Sequence, residues 1–170
     1  ARWGRRGTVG ARRERPVRDV QLGGSVAVVT GGASGIGRGT ALELARRGCD
    51  VCVADIHAER PADTVKAIEA LGRRAQGDPC DVRSDAEVDA MRDAALAAFG
   101  RVDVLVNSPG VSLLGAVENI PSEDWQWVLD VNLMGFVRAC RAFLQHMIER
   151  MWGHILNVAS VAGLYAYSYD

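Results

Sequence analysis

Ser25-Val26-Ala27-Val28-Val29-Thr30-Gly31-Gly32-Ala33-Ser34-Gly35-Ile36-Gly37 is the stretch on which the fold turns. Residues 26–29 are short, β-branched-rich and free of polar interruption, the pattern of a strand buried on both faces. Glycines then stand at 31, 32, 35 and 37, and residues 36–47 carry apolar positions at helical spacing. A glycine-rich turn between strand and helix lets backbone amides approach a pyrophosphate closely, and the helix N-terminus adds positive potential there. A lone glycine cluster says little; the strand-turn-helix setting at a first βα crossover makes it specific. Gly31, Ser34, Gly35, Ile36 and Gly37 are therefore the candidate phosphate-loop residues.

Working outward, the short apolar runs 26–29, 51–54, 102–106 and 155–158 alternate with helical-period segments 36–47, 62–71, 84–99 and 122–151. This alternation predicts an α/β fold: a Rossmann-like, doubly wound parallel sheet with right-handed crossovers. Gly77, Asp78 and Pro79 interrupt the third strand, around 75–80, which places it at a sheet edge. Ser84 and Glu87 have capping-box spacing, and Ser122 with Glu123 and Asp124 puts acid at a helix start. Gly48, Gly72, Gly100 and Gly153 stand where left-handed residues are expected past helix ends.

Asp55 ends the second strand 20 residues after Gly35, where a dinucleotide fold places the acid that accepts from the adenosine ribose hydroxyls. A 2′-phosphate would meet this carboxylate head-on, and no Arg lies within the glycine turn to offset it, with Arg38 just beyond as a poorly placed exception. NAD is the expected cofactor, with NADP disfavoured.

With 170 residues, 48% of them hydrophobic, the chain can bury one core, which implies a single domain over 25–170. Residues 1–24, rich in Arg and lacking apolar periodicity, are expected to be a disordered segment, with a transit peptide or anion-binding tail as alternatives. A net charge of −1 gives no field for nucleic acid or an anionic membrane, so the expected partner is a small molecule. No run approaches a membrane span and no secretory signal opens the chain, so the expectation is a cytoplasmic protein. Cys49, Cys52, Cys80 and Cys140 are too few and irregular for a disulfide framework. Cys49 and Cys52 form a C-x-x-C, but three residues apart on a strand they face opposite ways and could not share a metal. His57, His146 and His154 show no ligand spacing, so no metal site is expected.

At the glycine spacing Thr30-Gly31-x-x-x-Gly35-x-Gly37 the sequence resembles the short-chain dehydrogenase/reductase family, whose fingerprint is TGxxxGxG. Further matches follow in order: Asp81-Val82, Asn107-Ser108-Pro109-Gly110, Asn132 within Val131-Asn132-Leu133, and Ser160. Ser108-Pro109 departs from the family's usual Asn-Ala; proline removes an amide and stiffens that turn.

The resemblance implies that Asp81 and Val82 hold the adenine, and that Asn107 and Gly110 border the adenosine and the nicotinamide-side ribose. It implies that Asn132 supports a proton-relay water and Ser160 hydrogen-bonds the substrate oxygen, Asn132 as a polar helix residue bonding nearby backbone being the alternative. The function implied is NAD-dependent hydride transfer between a secondary alcohol and a ketone. The family also uses a tyrosine general acid/base with a lysine four residues later. Tyr165, Tyr167 and Tyr169 do not fit that spacing, so the pair is expected beyond Asp170, the chain is expected to be a fragment whose sheet is incomplete on its C-terminal side, and it is expected to be inactive alone. A non-catalytic dinucleotide-binding module is the alternative; an extended-branch epimerase is disfavoured by its different glycine spacing. Leu133, Phe136, Val137, Cys140, Leu144, Met147, Ile148 and Met151, widened by Phe143, form a stripe broader than one core-facing side. A homodimer or homotetramer is expected from it, packing of the whole stripe on the sheet being the alternative.

Overall fold

The structure, a computed structural model, describes residues 21–57 and 59–163. Residues 1–20 of the Arg-rich segment, and Tyr165, Tyr167 and Tyr169, lie outside the described residues. Five strands, β1 (Val26–Thr30), β2 (Asp50–Asp55), β3 (Ala75–Pro79), β4 (Val104–Asn107) and β5 (His154–Asn157), pair in parallel in the order β3-β2-β1-β4-β5. The helices are α1 (Gly35–Arg46), α2 (Pro61–Glu69), α3 (Asp85–Phe99), α4 (Ser122–Leu129) and α5 (Gly135–Glu149). The interrupted third strand sits at an edge, as its glycine and proline require. The chain winds from β1 toward β3, then returns to begin again at β4 on the other side of β1. That reversal opens a crevice at the carboxyl ends of β1 and β4, where doubly wound folds bind ligands.

Alternate residues of each strand face opposite layers. Val28, Cys52 and Leu105 pack with Val88 and Met91 of α3 and Phe143 of α5. Ala27, Val29, Val51, Val53 and Val106 pack with Ala41 and Leu44 of α1 and Ile68 of α2. Cys49 and Cys52 fall in different layers, as the strand period requires. Leu22 packs on the second layer, and Gly24 N–H donates to Gly48 O at 2.9 Å, so the packed fold reaches upstream of residue 25.

Two local expectations are revised. The segment 122–151 is two helices joined by a wide turn at Asp130–Met134 with π-type bonding, in which Gly135 N–H donates to Asp130 O. Gly48, Gly72 and Gly100 take φ of +93°, +77° and +74°, but after α5 the left-handed residue is Met151, at φ +53°, and not Gly153. Gly153 is required for room instead, since a Cβ there would overlap the Met147 side chain. The apolar stripe divides: Phe143 and Met147 join Gly135 and Ala139 on the buried face of α5, whereas Leu133 in the wide turn, Val137, Leu144 and Ile148 on α5, and Met151 just after it are exposed.

Candidate functional site

The glycine turn is shaped by close approaches. Gly31 has φ +66°, and a Cβ on it would come within 2.8 Å of the Ser108 and Pro109 backbone. A Cβ on Gly37 would overlap the Gly31 carbonyl oxygen, so α1 packs directly on the turn that precedes it. Gly35, at φ +50°, faces open space. Ser34 occupies the N-cap of α1, yet its side chain makes no capping bond and the first turn carries no acid. The leading amides are thus left for an external anion, which is what a pyrophosphate supplies. Asp55 closes the turn from the end of β2: Oδ2 accepts from Ala33 N–H at 3.2 Å and Oδ1 from His57 N–H at 3.4 Å.

Around this turn lies a cleft of about 1200 Å³, bounded by the loops after all five strands. Single ligands typically occupy pockets of about 300–1,000 Å³, so the space suits a dinucleotide with a further small molecule. Gly31, Ser34, Gly35, Ile36, Gly37, Asp55, Asp81, Val82, Gly110, Asn132 and Ser160 all line it. Arg38 does not, while His57 and Arg60 stand at its rim beside Asp55.

On the β3 side, the Arg83 guanidinium grips the Asp81 carboxylate, with Nε 2.9 Å from Oδ2, and this hydrogen bonding holds the Asp81 carboxyl below the usual range. The Ser84 hydroxyl accepts from Glu87 N–H at 3.3 Å, but the Glu87 carboxylate accepts from Asp81 N–H at 2.8 Å, so only half of the expected capping box forms. Val82 packs beneath the wide turn, where a Cβ on Gly135 would come within 2.7 Å of Val82 Cγ2. Cys80 also lines the cleft; burial pushes its thiol up to about 12, which leaves it without thiolate character at neutral pH.

On the β4 and β5 side, Asn132 bonds the backbone of Val111 twice: Oδ1 accepts from its N–H at 2.9 Å and Nδ2 donates to its carbonyl at 2.8 Å. Each amide atom retains one further hydrogen-bonding site. The Ser160 hydroxyl oxygen accepts from Ala162 N–H at 3.2 Å, which leaves its own proton to donate.

Asn107 is the residue not brought to the cleft. It is fully buried, with Nδ2 donating to Asn157 Oδ1 at 2.8 Å and Oδ1 accepting from Thr30 Oγ1 at 3.2 Å. Its side chain ties together the ends of β1, β4 and β5 and does not line the cleft, whereas Asn157 does. The sequence reading also missed Arg83, Val111, Trp127, Val131 and Phe136 on the cleft wall. Gly135 offered a signal: a glycine inside a helical period costs about 1 kcal/mol and calls for a packing reason.

A parallel sheet wound both ways from a glycine turn at its switch point defines a Rossmann-like α/β domain. A family model described as short chain dehydrogenase matches residues 25–169, and the chain belongs to that family. It is 41% identical over 139 residues to a (2S)-[(R)-hydroxy(phenyl)methyl]succinyl-CoA dehydrogenase subunit of Thauera aromatica, covering 82% of this chain and 56% of that one. It is 40% identical over 155 residues to a D-threitol dehydrogenase of Mycolicibacterium smegmatis, covering 87% and 57%. The crystal structure of a short chain dehydrogenase/reductase from Burkholderia phymatum in complex with NAD superposes with a TM-score of 0.84 at 40% identity, covering 87% of this chain and 53% of that one. An NAD+-bound xylitol dehydrogenase gives a TM-score of 0.83 at 32% identity, covering 87% and 57%. The chain thus spans little more than half the length of these relatives.

Proposed function

We propose that this chain is the NAD-binding part of an oxidoreductase that interconverts a secondary alcohol and a ketone. The observation that carries the reading is the Asp55 carboxylate at the end of β2, beside a glycine turn whose helix amides are left for an anion. Gly31, Ser34, Gly35, Ile36 and Gly37 would cradle the pyrophosphate. Asp55 would accept from the adenosine ribose and oppose a 2′-phosphate, so NAD is favoured over NADP. Asp81 and Val82 would receive the adenine, and Gly110 the nicotinamide-side ribose. When bound, NAD supplies the hydride acceptor.

The chain's own residues would orient and polarise. Ser160 would donate a hydrogen bond from its hydroxyl to the substrate oxygen, a neutral donor suited to stabilising developing alkoxide charge. Asn132 fixes the Val111 loop and uses its remaining sites to hold a proton-relay water. The exposed apolar residues of α5 support a homodimer or homotetramer, and four free cysteines suit a reducing, cytoplasmic setting.

The test is NADH production by the full-length protein from a panel of secondary alcohols. Turnover with NAD, reduced by about 10²–10³ in kcat on Ser160→Ala as for removal of one oxyanion-type donor, is expected. NAD binding with no oxidation of any alcohol, and no reduction of the matching ketones by NADH, would contradict the reaction assigned.

A further inference from the structure

The wide turn at Asp130–Met134 carries Asn132, and one side chain outside the cleft grips the residue that begins it. Arg138, near the start of α5, places Nη1 3.4 Å from the Asp130 carbonyl oxygen and Nη2 3.3 Å from Asp130 Oδ1. Its Nε lies 3.6 Å from Asp85 Oδ2 at the start of α3, and the side chain is only 14% exposed. A guanidinium suits this place because its rigid fork can hold the main chain and the side chain of one residue together. The Asp130 carbonyl also accepts from Gly135 N–H, five residues on, the bond that makes the turn wide.

The grip depends on the turn. In an α-helix each residue advances about 100°, so positions eight apart stand about 80° from each other around the axis. The extra residue of the wide turn makes Arg138 in effect the seventh position after Asp130, about 20° away. Its long side chain, which leans toward the helix N-terminus, then reaches back along one face. Closing the segment into an unbroken α-helix would break this contact. Because Ala139, Phe143 and Met147 anchor α5 in the core, closure would also turn the residues ahead of it by up to about 100° and carry Asn132 off the Val111 backbone. Resting on the reading that Asn132 supports a relay water, we propose that Arg138 is a positioning residue that selects the wide turn by holding Asp130. It thereby keeps Asn132 on Val111, with the remaining hydrogen-bonding sites of the amide free for the water. Arg138 does this without touching cofactor or substrate, and a lysine could supply its charge but not the two-pronged grip.

The experiment uses the full-length protein and its Arg138→Met, Arg138→Lys and Asn132→Ala variants, with the double variant of Arg138→Met and Asn132→Ala. Three quantities are followed: kcat for a secondary alcohol, the NAD dissociation constant, and hydrogen exchange at the Val111 amide. Asn132→Ala is expected to lower kcat roughly 10²-fold, the size of one proton-transfer contribution, and Arg138→Met about tenfold. Neither changes the NAD dissociation constant. The Val111 amide, released from Asn132 Oδ1, exchanges faster in both single variants while the amides of β1 do not, which separates a shifted turn from a loosened domain. In the Asn132→Ala background Arg138→Met lowers kcat no further, because residues that act through one another are not additive. Arg138→Lys recovers part of the loss, and it carries the same comparisons if Arg138→Met fails to fold. Unchanged kcat and Val111 exchange in Arg138→Met, with both altered by Asn132→Ala, overturn the role of Arg138. An equal loss of kcat with and without Asn132 overturns it too. Undiminished kcat in Asn132→Ala overturns instead the relay reading, and Val111 exchange in Arg138→Met still decides whether Arg138 holds the turn.

Discussion

β1 and β5 lie two strands apart in the same sheet, and within the described residues they are covered to different extents. β1 is buried along its whole length and leads into a turn where glycines are forced by neighbouring backbone. β5 exposes Ile155 at 36% and Leu156 at 54%, and α5 nearby turns Leu144 and Ile148 outward. The β1-β2-α1 half is thus closed by its own sequence and leaves little freedom to the chain. The β4-β5-α5 half keeps apolar surface available for burial by something else. Tolerance to substitution should differ accordingly between the two.

The contrast is sharpest on α5. Phe143→Ala removes a fully buried ring from the core face and is expected to cost about 3–5 kcal/mol in a denaturant melt. Leu144→Ala, one residue on and 46% exposed, should change the stability of a monomer by no more than about 0.5 kcal/mol. If copies of the chain pair through this face, Leu144→Ala shifts the concentration dependence of association seen by light scattering. Equal destabilisation by the two variants would erase the distinction between the faces.

The two halves are tied at the end of the sheet opposite the cleft by Asp103, which is fully buried. Its Oδ2 accepts from Val26 N–H at 3.0 Å, and its Oδ1 from Arg101 at 2.7 Å and Arg150 at 2.8 Å. Burial pushes this carboxyl up, but the Arg101, Val26 and Arg150 hydrogen bonds outweigh it and the net displacement is downward. With the folded value below the unfolded one of about 3.9, the stabilisation is fully present above that pH and is lost as pH falls through the folded value. Asp103→Asn should cost about 1.5–3 kcal/mol at neutral pH, by urea melts, and the gap from the parent should narrow only below about pH 4. A gap that narrowed on raising the pH would reverse the sign and overturn this account of the tie.

A smaller effect on stability, but one centred on ligand binding, is expected in the glycine turn. Gly37→Ala forces a methyl group against the Gly31 carbonyl, for about 1–3 kcal/mol of strain and a marked loss of dinucleotide affinity. Gly39→Ala, two residues on with nothing within 4 Å of the added Cβ, should stabilise α1 by about 0.5–1 kcal/mol and leave affinity unchanged. Matching losses in both variants would show that the turn is not shaped by the contacts described.

How much was legible follows the same divide. The phosphate turn, the Asp55 position, the edge placement of β3 and the opposed layers of Cys49 and Cys52 all follow from backbone period and glycine chemistry, which are local. The cleft residues that sequence reasoning missed depend on approaches between distant segments. The family resemblance implies a ligand-bordering role for Asn107, and nothing local in the sequence announces that its neighbour on β5, Asn157, accepts from its side chain. The wide turn at Asp130–Met134 has no periodic signature, because one extra residue per turn leaves the apolar spacing nearly intact. Arg83 was invisible for a related reason, since nothing in Asp81-Val82-Arg83 announces that the guanidinium folds back on the carboxylate two residues earlier.

The most direct measurement of the central claim is the ratio of NAD to NADP affinity, by calorimetric titration, for the full-length protein and its Asp55→Ser variant. If Asp55 accepts from the ribose hydroxyls and opposes a 2′-phosphate, NAD binds more tightly and the ratio falls by about 10- to 100-fold in the variant, the equivalent of one or two charged hydrogen bonds. Tighter binding of NADP by the parent protein, with a ratio indifferent to Asp55→Ser, would contradict the account and assign the ribose end of the cleft to His57 and Arg60 at its rim.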